Sequence, residues 1–509
     1  MRPFFAVHAD GGRVTSVADI IRRRAAATPA LTAVIEAGRT TTFGALDERS
    51  NRVAQALIAA GVAPGDRVAY IGANAPEFLE VLYGATKAGA IATAVNNRLA
   101  RPEIAAILSD AAPAALIVDD PSLVPPGARA VCTGDEYEAW LSTVDPVDPL
   151  VPAGPDDTAV IFYTSGTTGR PKGIMLSGDN LGQALATMHY DMELTTTSVA
   201  MAPIPYFHIS GLGLALVANL NGAALLLETA AGPDALIALL ARRRVSHAAV
   251  VPTILQTLLQ LPGTRETDWS ALRYLVYGAM PIPLPVIRAA TEVFGCKFLQ
   301  SYGLTESTGG VTVLWPEDHL PDEPRKERRL RSVGRPMPGV SLRVVDPVTL
   351  SDLPPGERGE VLIGGGHVMR GYWRNPAATS ATIVDGWVRT GDGGSFDEDG
   401  YLYLHDRIKD MIVSGGENVY PAEVESVLTG HPDLAEVAVV GVPSARWGES
   451  PVAVVVPRAG HTPDEAEVIA WCRERLAHFK CPVAVHVVET LPRNASGKLL
   501  KHALRSSFS

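Results

Sequence analysis

Residues Tyr163 to Gly173 read Tyr-Thr-Ser-Gly-Thr-Thr-Gly-Arg-Pro-Lys-Gly, gathering glycines, hydroxyls and cations into one short stretch. The apolar run Ala159-Val160-Ile161-Phe162 precedes it and reads as the end of a strand. Glycine lets the backbone take positive φ and come close to a ligand. Successive N–H groups in such a turn form an anion-binding nest. Ser165, Thr167 and Thr168 add hydroxyl donors, and Arg170 and Lys172 add positive charge. These residue types at this spacing suit a polyphosphate. The stretch is not a Walker A loop, because no G-x-x-x-x-G-K-[ST] string occurs in the chain.

Further along are other residues suited to chemistry. Gln300-Ser301-Tyr302-Gly303-Leu304-Thr305-Glu306 follows a strand-like run, Lys297-Phe298-Leu299. An aromatic ring beside glycine can offer a flat face to a planar base. The Glu306 carboxylate can reach Mg²⁺, a hard cation that prefers oxygen ligands and polyphosphate. In Arg389-Thr390-Gly391-Asp392 a lone carboxylate follows a tight turn, and a carboxylate accepts two hydrogen bonds at once, as a ribose diol requires. Pro492-Arg493-Asn494-Ala495-Ser496-Gly497-Lys498 ends in an ammonium on a flexible stem. Such a cation can stabilise charge developing in a transition state.

Taken in order, these strings resemble the signatures of the adenylate-forming superfamily, which includes acyl-CoA synthetases, peptide-synthetase adenylation domains and beetle luciferases. The pattern is closest to bacterial acyl-CoA synthetases and spans roughly residues 30–505. The resemblance implies that Thr164, Ser165, Gly166, Thr167, Thr168, Gly169 and Lys172 hold the ATP phosphates. Tyr302 would stack on adenine, with Ser301 and Gly303 in the same nucleotide site, and Gly278-Ala279-Met280-Pro281 would pack the other face. Thr305 would contact the α-phosphate, Glu306 would hold Mg²⁺, Asp392 would clamp the ribose, and Arg407 would bond ribose or phosphate. Lys409 falls at the superfamily's hinge position, and Gly415 and Gly416 would line a pantetheine tunnel. Lys498 would be the catalytic lysine.

In Pro205-Tyr206-Phe207-His208-Ile209-Ser210-Gly211, His208 stands where amino-acid-activating relatives typically carry aspartate. That argues against an α-amino acid and puts His208 near the substrate carboxylate or at the tunnel gate. Leu212, Leu214 and Leu216, with Gly211 and Gly213, are expected to form an apolar pocket for a fatty, aryl or terpenoid acid. A malonate-like acid would require a pocket arginine. The implied enzyme is an AMP-forming acid–thiol ligase using ATP, Mg²⁺ and coenzyme A on a small-molecule carboxylic acid. Two alternatives are an acyl-AMP ligase loading an acyl carrier protein's phosphopantetheine and a nucleotide-binding homologue without turnover.

The elements that must position these residues alternate. Helical periods at 15–30, 46–60, 76–88, 104–110, 180–188, 234–244 and 285–293 are interleaved with strand-like runs at 68–71, 91–95, 115–118, 198–203, 247–251 and 272–277. That alternation predicts an α/β fold with mainly parallel strands. Residues 1–406 are expected to form a large N-terminal domain of layered α/β sheets, with a small β-barrel-like subdomain at about 330–405. Residues 407–410 would be the hinge and 411–509 a small mobile α+β domain, with a hairpin from Ala435–Val442 and Pro451–Val456.

The 509 residues are 47% hydrophobic and 19% charged, enough for a large core, and the net charge of −11 argues against nucleic acid as main partner. The four cysteines lie far apart without C-x-x-C spacing, which predicts buried free thiols in a reducing cytoplasm. The first ten residues are too poor in apolar side chains for a signal peptide. No apolar run is long enough to span a membrane. The expected assembly is a monomer or homodimer. The basic run Arg325–Arg331 suits a solvated loop, CoA phosphates or an acidic membrane surface.

Overall fold

A computed structural model describes residues 14–165, 171–279, 282–320, 324–410, 412–414, 417–419, 421–444, 447–493 and 499–508. It divides into two compact units: the described residues up to Leu342 with Ile363–Val388, and Arg343–Leu362 with those from Arg389 onward.

Among the described residues, two sheets form the frame of the first unit. One runs in the order Gly371–Tyr372, Pro171–Ser177, Thr158–Ser165, Ile91–Val95, Arg67–Ile71, Ala115–Val118 and Val131–Cys132. The other runs Arg335–Pro336, Gly309–Leu314, Lys297–Leu304, Tyr274–Gly278, His247–Val250, Val199–Met201, Ala224–Leu226, Thr32–Glu36 and Arg39–Thr42. Their inner pairs are parallel; antiparallel strands close both edges of the second sheet and one edge of the first, whose other edge strand, Val131–Cys132, pairs in parallel. Ile91–Val95 is buried at every position, as a strand covered on both faces must be.

The helices follow the expected apolar periods. Ser16 occupies the N-cap of Val17–Ala27 but makes no capping bond through its side chain, whereas the Thr42 hydroxyl accepts from the Ala45 N–H at 3.2 Å to start Phe43–Ala59. Ile209–Asn221 is apolar on nearly all sides, and such a helix belongs inside. Leu212, Leu214 and Leu216 are buried in the core among helices rather than facing a ligand space. This corrects the expectation that they form the acid pocket.

In the second unit, strands Leu434–Ser444 and Gly448–Pro457 pair as the expected antiparallel hairpin, with Ala484–Val487 added in parallel beside the latter. Helices Pro421–Leu428 and Glu465–Arg473 supply Val424, Leu428, Val468 and Cys472 to one core with Val439 and Val455. All four cysteines are free; Cys472 and Cys481 are buried, while Cys132 and Cys296 are partly exposed.

Two buried histidines support the sheet that contains Tyr274–Gly278 and Lys297–Leu304. His319 Nδ1 donates to the Trp315 carbonyl at 2.8 Å, and Nε2 accepts from the Tyr277 hydroxyl at 2.9 Å. His247 Nε2 donates to the Met192 carbonyl at 2.7 Å, and Nδ1 accepts from Ser246 at 2.8 Å. Each arrangement fixes a neutral tautomer, and burial lowers both pKa values from 6.5 to about 4. Between those values the unfolded chain binds more protons than the folded one, so stability falls as pH falls through the window. Acidification from pH 7 to pH 5.5 is expected to cost on the order of 1 kcal/mol per histidine. Urea unfolding at the two pH values should show the drop, and His319→Gln should reduce it. An unchanged midpoint in the wild-type chain would contradict this assignment.

Candidate active site

The second motif sits where parallel strands end. Gly278 pairs with Ser301 on the adjacent strand, and a Cβ on Gly278 would lie 2.2 Å from the Ser301 carbonyl oxygen. A Cβ on Gly303 would lie 1.8 Å from the Gly309 carbonyl oxygen. Glycine at both positions lets neighbouring backbones approach. Ala279 follows at φ 66° and is exposed, an unusual conformation for a non-glycine residue and one found preferentially at functional sites. Tyr302 is largely buried, and Thr305 opens a single 3-10 turn, Thr305–Ser307. The Leu304 N–H donates to the Ser307 hydroxyl at 2.9 Å, and the Met369 N–H donates to the Glu306 carbonyl at 2.9 Å. Glu306 is thereby presented half-buried at the end of the strand.

The first motif belongs to the other sheet. Thr164 and Lys172 are paired residues on the antiparallel strands Thr158–Ser165 and Pro171–Ser177. Gly166, Thr167, Thr168 and Gly169, with the Ser165 side chain, lie outside the described part. The Tyr163 hydroxyl donates to Asp110 Oδ2 at 2.6 Å, and burial and that carboxylate push its pKa up.

The two motifs meet at Tyr372. Its hydroxyl donates to Glu306 Oε1 at 2.8 Å, and the Lys172 ammonium sits over its ring, 4.9 Å from the centroid. Lys172 has no carboxylate partner among the described residues, and the Glu306 carboxylate has no hydrogen-bond partner there besides Tyr372. Glu306 therefore fits a divalent cation: it offers a hard carboxylate oxygen beyond the one that Tyr372 occupies. Mg²⁺ is commonly held by one or two carboxylates plus substrate phosphates. Among the described residues, no cluster of three or more His, Cys, Asp or Glu could hold a metal unaided.

His208 is the N-cap residue of Ile209–Asn221, with its ring against Phe207 at 4.8 Å between centroids. Burial, then the charge of Arg98, lowers its pKa and favours the uncharged imidazole. Asn74 fixes the preceding turn: its Nδ2 donates to the Ile204 carbonyl at 2.9 Å and its Oδ1 accepts from the Tyr206 N–H at 2.8 Å. Phe207 also forms part of the wall of a cavity of about 510 Å³. Met201, Leu226, Leu236, Ile254 and Leu258 make much of its lining, and Arg98 is also there, exposed and without an ion-pair partner among the described residues.

In the second unit, Asp392 and Arg407 are cross-strand partners. The Asp392 N–H donates to the Thr390 hydroxyl at 3.0 Å, and that hydroxyl donates to the Val361 carbonyl at 2.7 Å. Lys409 lies in the 3-10 turn Ile408–Asp410. Gly415, Gly416 and Lys498 lie outside the described residues.

Sequence reasoning missed Tyr372 and Asn74. Gly371-Tyr372-Trp373 carried a signal, an aromatic pair after glycine, but the residues were covered only by the general expectation of a β-rich subdomain at about 330–405. Asn74 carried no local signal, because its partners are about 130 residues away in sequence.

These features define a nucleotide-binding α/β enzyme fold. The chain belongs to the AMP-binding enzyme family, whose model matches residues 21–373, with the AMP-binding enzyme C-terminal domain matching residues 423–498. It is 39% identical over 490 residues to a feruloyl-CoA synthase of an Amycolatopsis species, covering 96% of this chain and 98% of that protein. It is also 39% identical over 493 residues to a fatty acid–[acyl-carrier-protein] ligase of Streptomyces coeruleorubidus, covering 94% of each. The crystal structure of ATP-bound MatB from Rhodopseudomonas palustris is similar at a TM-score of 0.87 and 33% identity, covering 96% of this chain and 99% of that one.

Gly303→Ala tests the close approach. Overpacking of this kind costs ~1–3 kcal/mol or more, and nucleotide affinity should fall with stability. Gly263→Ala, where a Cβ meets nothing within 4 Å, serves as control. Equal denaturation midpoints for the two variants would contradict the packing argument.

Proposed function

We propose that this chain activates a hydrophobic carboxylic acid, whether fatty, aryl or terpenoid, and passes the acyl group to coenzyme A. The acid's carboxylate oxygen attacks the α-phosphorus of ATP, the bond to pyrophosphate breaks, and acyl-AMP forms. The thiol of CoA, losing its proton, then attacks the acyl carbon and AMP leaves. The observation that carries the reading is the convergence of Lys172 and Glu306 on one tyrosine, from motifs far apart in sequence. Family membership, the feruloyl-CoA synthase relative and the ATP-bound structural neighbour support it.

In this reading Thr164 to Gly169 and Lys172 bind the phosphates, and Gly278, Ala279 and Ser301 to Gly303 bind adenine. Thr305 contacts the α-phosphate, while Asp392 and Arg407 bind the ribose. Glu306 holds Mg²⁺, which when bound neutralises phosphate charge and orients the polyphosphate. Lys498 offsets the repulsion between carboxylate and α-phosphate and stabilises the transition state. Neutral His208 faces the acid's carboxylate without adding charge. Lys409 serves as the hinge that lets Lys498, and then Gly415 and Gly416, act in turn. The 510 Å³ cavity takes the acid's tail. The enzyme works in the cytoplasm as a monomer or homodimer.

Two observations favour variants of this reading. The similarity to an acyl-carrier-protein ligase points to a carrier-protein phosphopantetheine as the acceptor. Arg98, at the cavity and without an ion-pair partner among the described residues, points to an acid with a second carboxylate.

Pyrophosphate release should be measured with fatty, aryl, terpenoid and dicarboxylic acids, each with CoA, with holo-carrier protein and with neither. Acid-dependent release that CoA turns into thioester is expected; no release with any acid would sink the proposal. Lys498→Ala is expected to slow adenylation a hundredfold or more, equivalent to ~3–4 kcal/mol, while leaving transfer from supplied acyl-AMP largely intact. Adenylation within a few-fold of wild type would remove Lys498 from that role.

A further inference from the structure

Lys172 and Glu306 carry opposite charges and approach the same tyrosine. Left alone, a neighbouring ammonium and carboxylate pair with each other. Each would then lose what a nucleotide needs from it, a cation for phosphate and a free carboxylate oxygen for a divalent metal. Tyr372 gives each a separate partner. The ammonium sits on the π face, which attracts cations, and the carboxylate accepts a hydrogen bond from the phenolic O–H.

The tyrosine is itself held firmly. It is 6% exposed and pairs with Ile174 on the strand that carries Lys172. Its N–H donates to the Thr379 hydroxyl at 2.9 Å. Next to it, the Trp373 N–H donates to the Gly173 carbonyl at 2.7 Å and the Arg370 N–H to the Met175 carbonyl at 2.9 Å. Gly371 sits at φ 133°, where a Cβ would press on Thr379 at 2.8 Å. On its other side, the Met369 N–H holds the Glu306 carbonyl. The segment from Met369 to Trp373 thus ties the turn that presents Glu306 to the strand that presents Lys172.

We infer that Tyr372 is a positioning residue of the nucleotide site: it keeps Lys172 and Glu306 apart and aimed, so that both are available when ATP arrives. This rests on the proposed roles of Lys172 and Glu306 as phosphate and Mg²⁺ ligands. Tyr372 touches neither reacting atom and acts through the two residues it holds.

The test is equilibrium ATP binding by the full chain, with Mg²⁺ and in EDTA, for wild type, Tyr372→Phe, Tyr372→Leu, Glu306→Gln and Lys172→Met. Tyr372→Phe keeps the ring under Lys172 and removes the bond to Glu306. It is expected to lower the Mg²⁺-dependent gain in affinity about tenfold, the scale of one charge-assisted hydrogen bond, and to leave metal-free ATP affinity within about twofold. Tyr372→Leu removes the spacer, so both affinities should fall. Thermal midpoints confirm that each variant is folded, and Tyr372→Phe, which keeps the buried ring, decides the matter. If Glu306→Gln loses the Mg²⁺-dependent gain while Tyr372→Phe keeps it, the positioning role is wrong and the proposed function stands. If Glu306→Gln also keeps it, the metal role of Glu306 is wrong, and this inference fails with it.

Discussion

An ammonium and a carboxylate that serve one ligand must not neutralise each other beforehand. Under the roles proposed for Lys172 and Glu306, one aromatic ring meets that constraint, with Lys172 on its face and Glu306 on its hydroxyl. Lys172 lies on a strand of one sheet, and Glu306 lies in the turn that follows a strand of the other. Much of the nearby backbone follows from that requirement. The strand Gly371–Tyr372 pairs at the edge beside Pro171–Ser177, and Gly371 adopts a conformation that suits glycine.

The surrounding scaffold is built for close approach. Gly278 and Gly303 let strand ends pack at distances that no side chain permits. Tyr277, one residue before Gly278, is anchored by neutral, buried His319. The adjacent left-handed Ala279 is a strained residue that such an over-determined frame can hold. Helix Ile209–Asn221 is buried along most of its length, which helps hold His208 at its start; Gly211 contributes, because a Cβ there would meet the Pro205 carbonyl oxygen at 2.5 Å. Binding residues positioned by a rigid scaffold are a common arrangement in enzymes.

Much of this was legible in the sequence because the relevant signals are local. Glycines, hydroxyls and cations within a few residues mark Tyr163–Gly173, and the β-α alternation foretells parallel sheets; the structure has both sheets. The hairpin Leu434–Ser444 with Gly448–Pro457 was visible as two apolar runs a short turn apart. What was not legible depends on contacts distant in sequence. Tyr372 reaches Glu306 across 66 positions. Leu212, Leu214 and Leu216 read as a pocket because their alternation with glycine says nothing about what covers them, and the fold covers them with other helices. The cavity beside Phe207 draws on five separated segments, within residues 73–74, 97–98, 201–207, 226–236 and 253–258, and no window of sequence contains it.

The central claim is that Lys172 and Glu306 act on one bound nucleotide. The most direct measurement is a double-mutant cycle on MgATP affinity with Lys172→Met, Glu306→Gln and the double variant. Groups that share one ligand and one positioning ring should be coupled, with a non-additivity of ~1 kcal/mol or more. Additivity to within about 0.5 kcal/mol would show that the two residues act independently, and it would contradict the account.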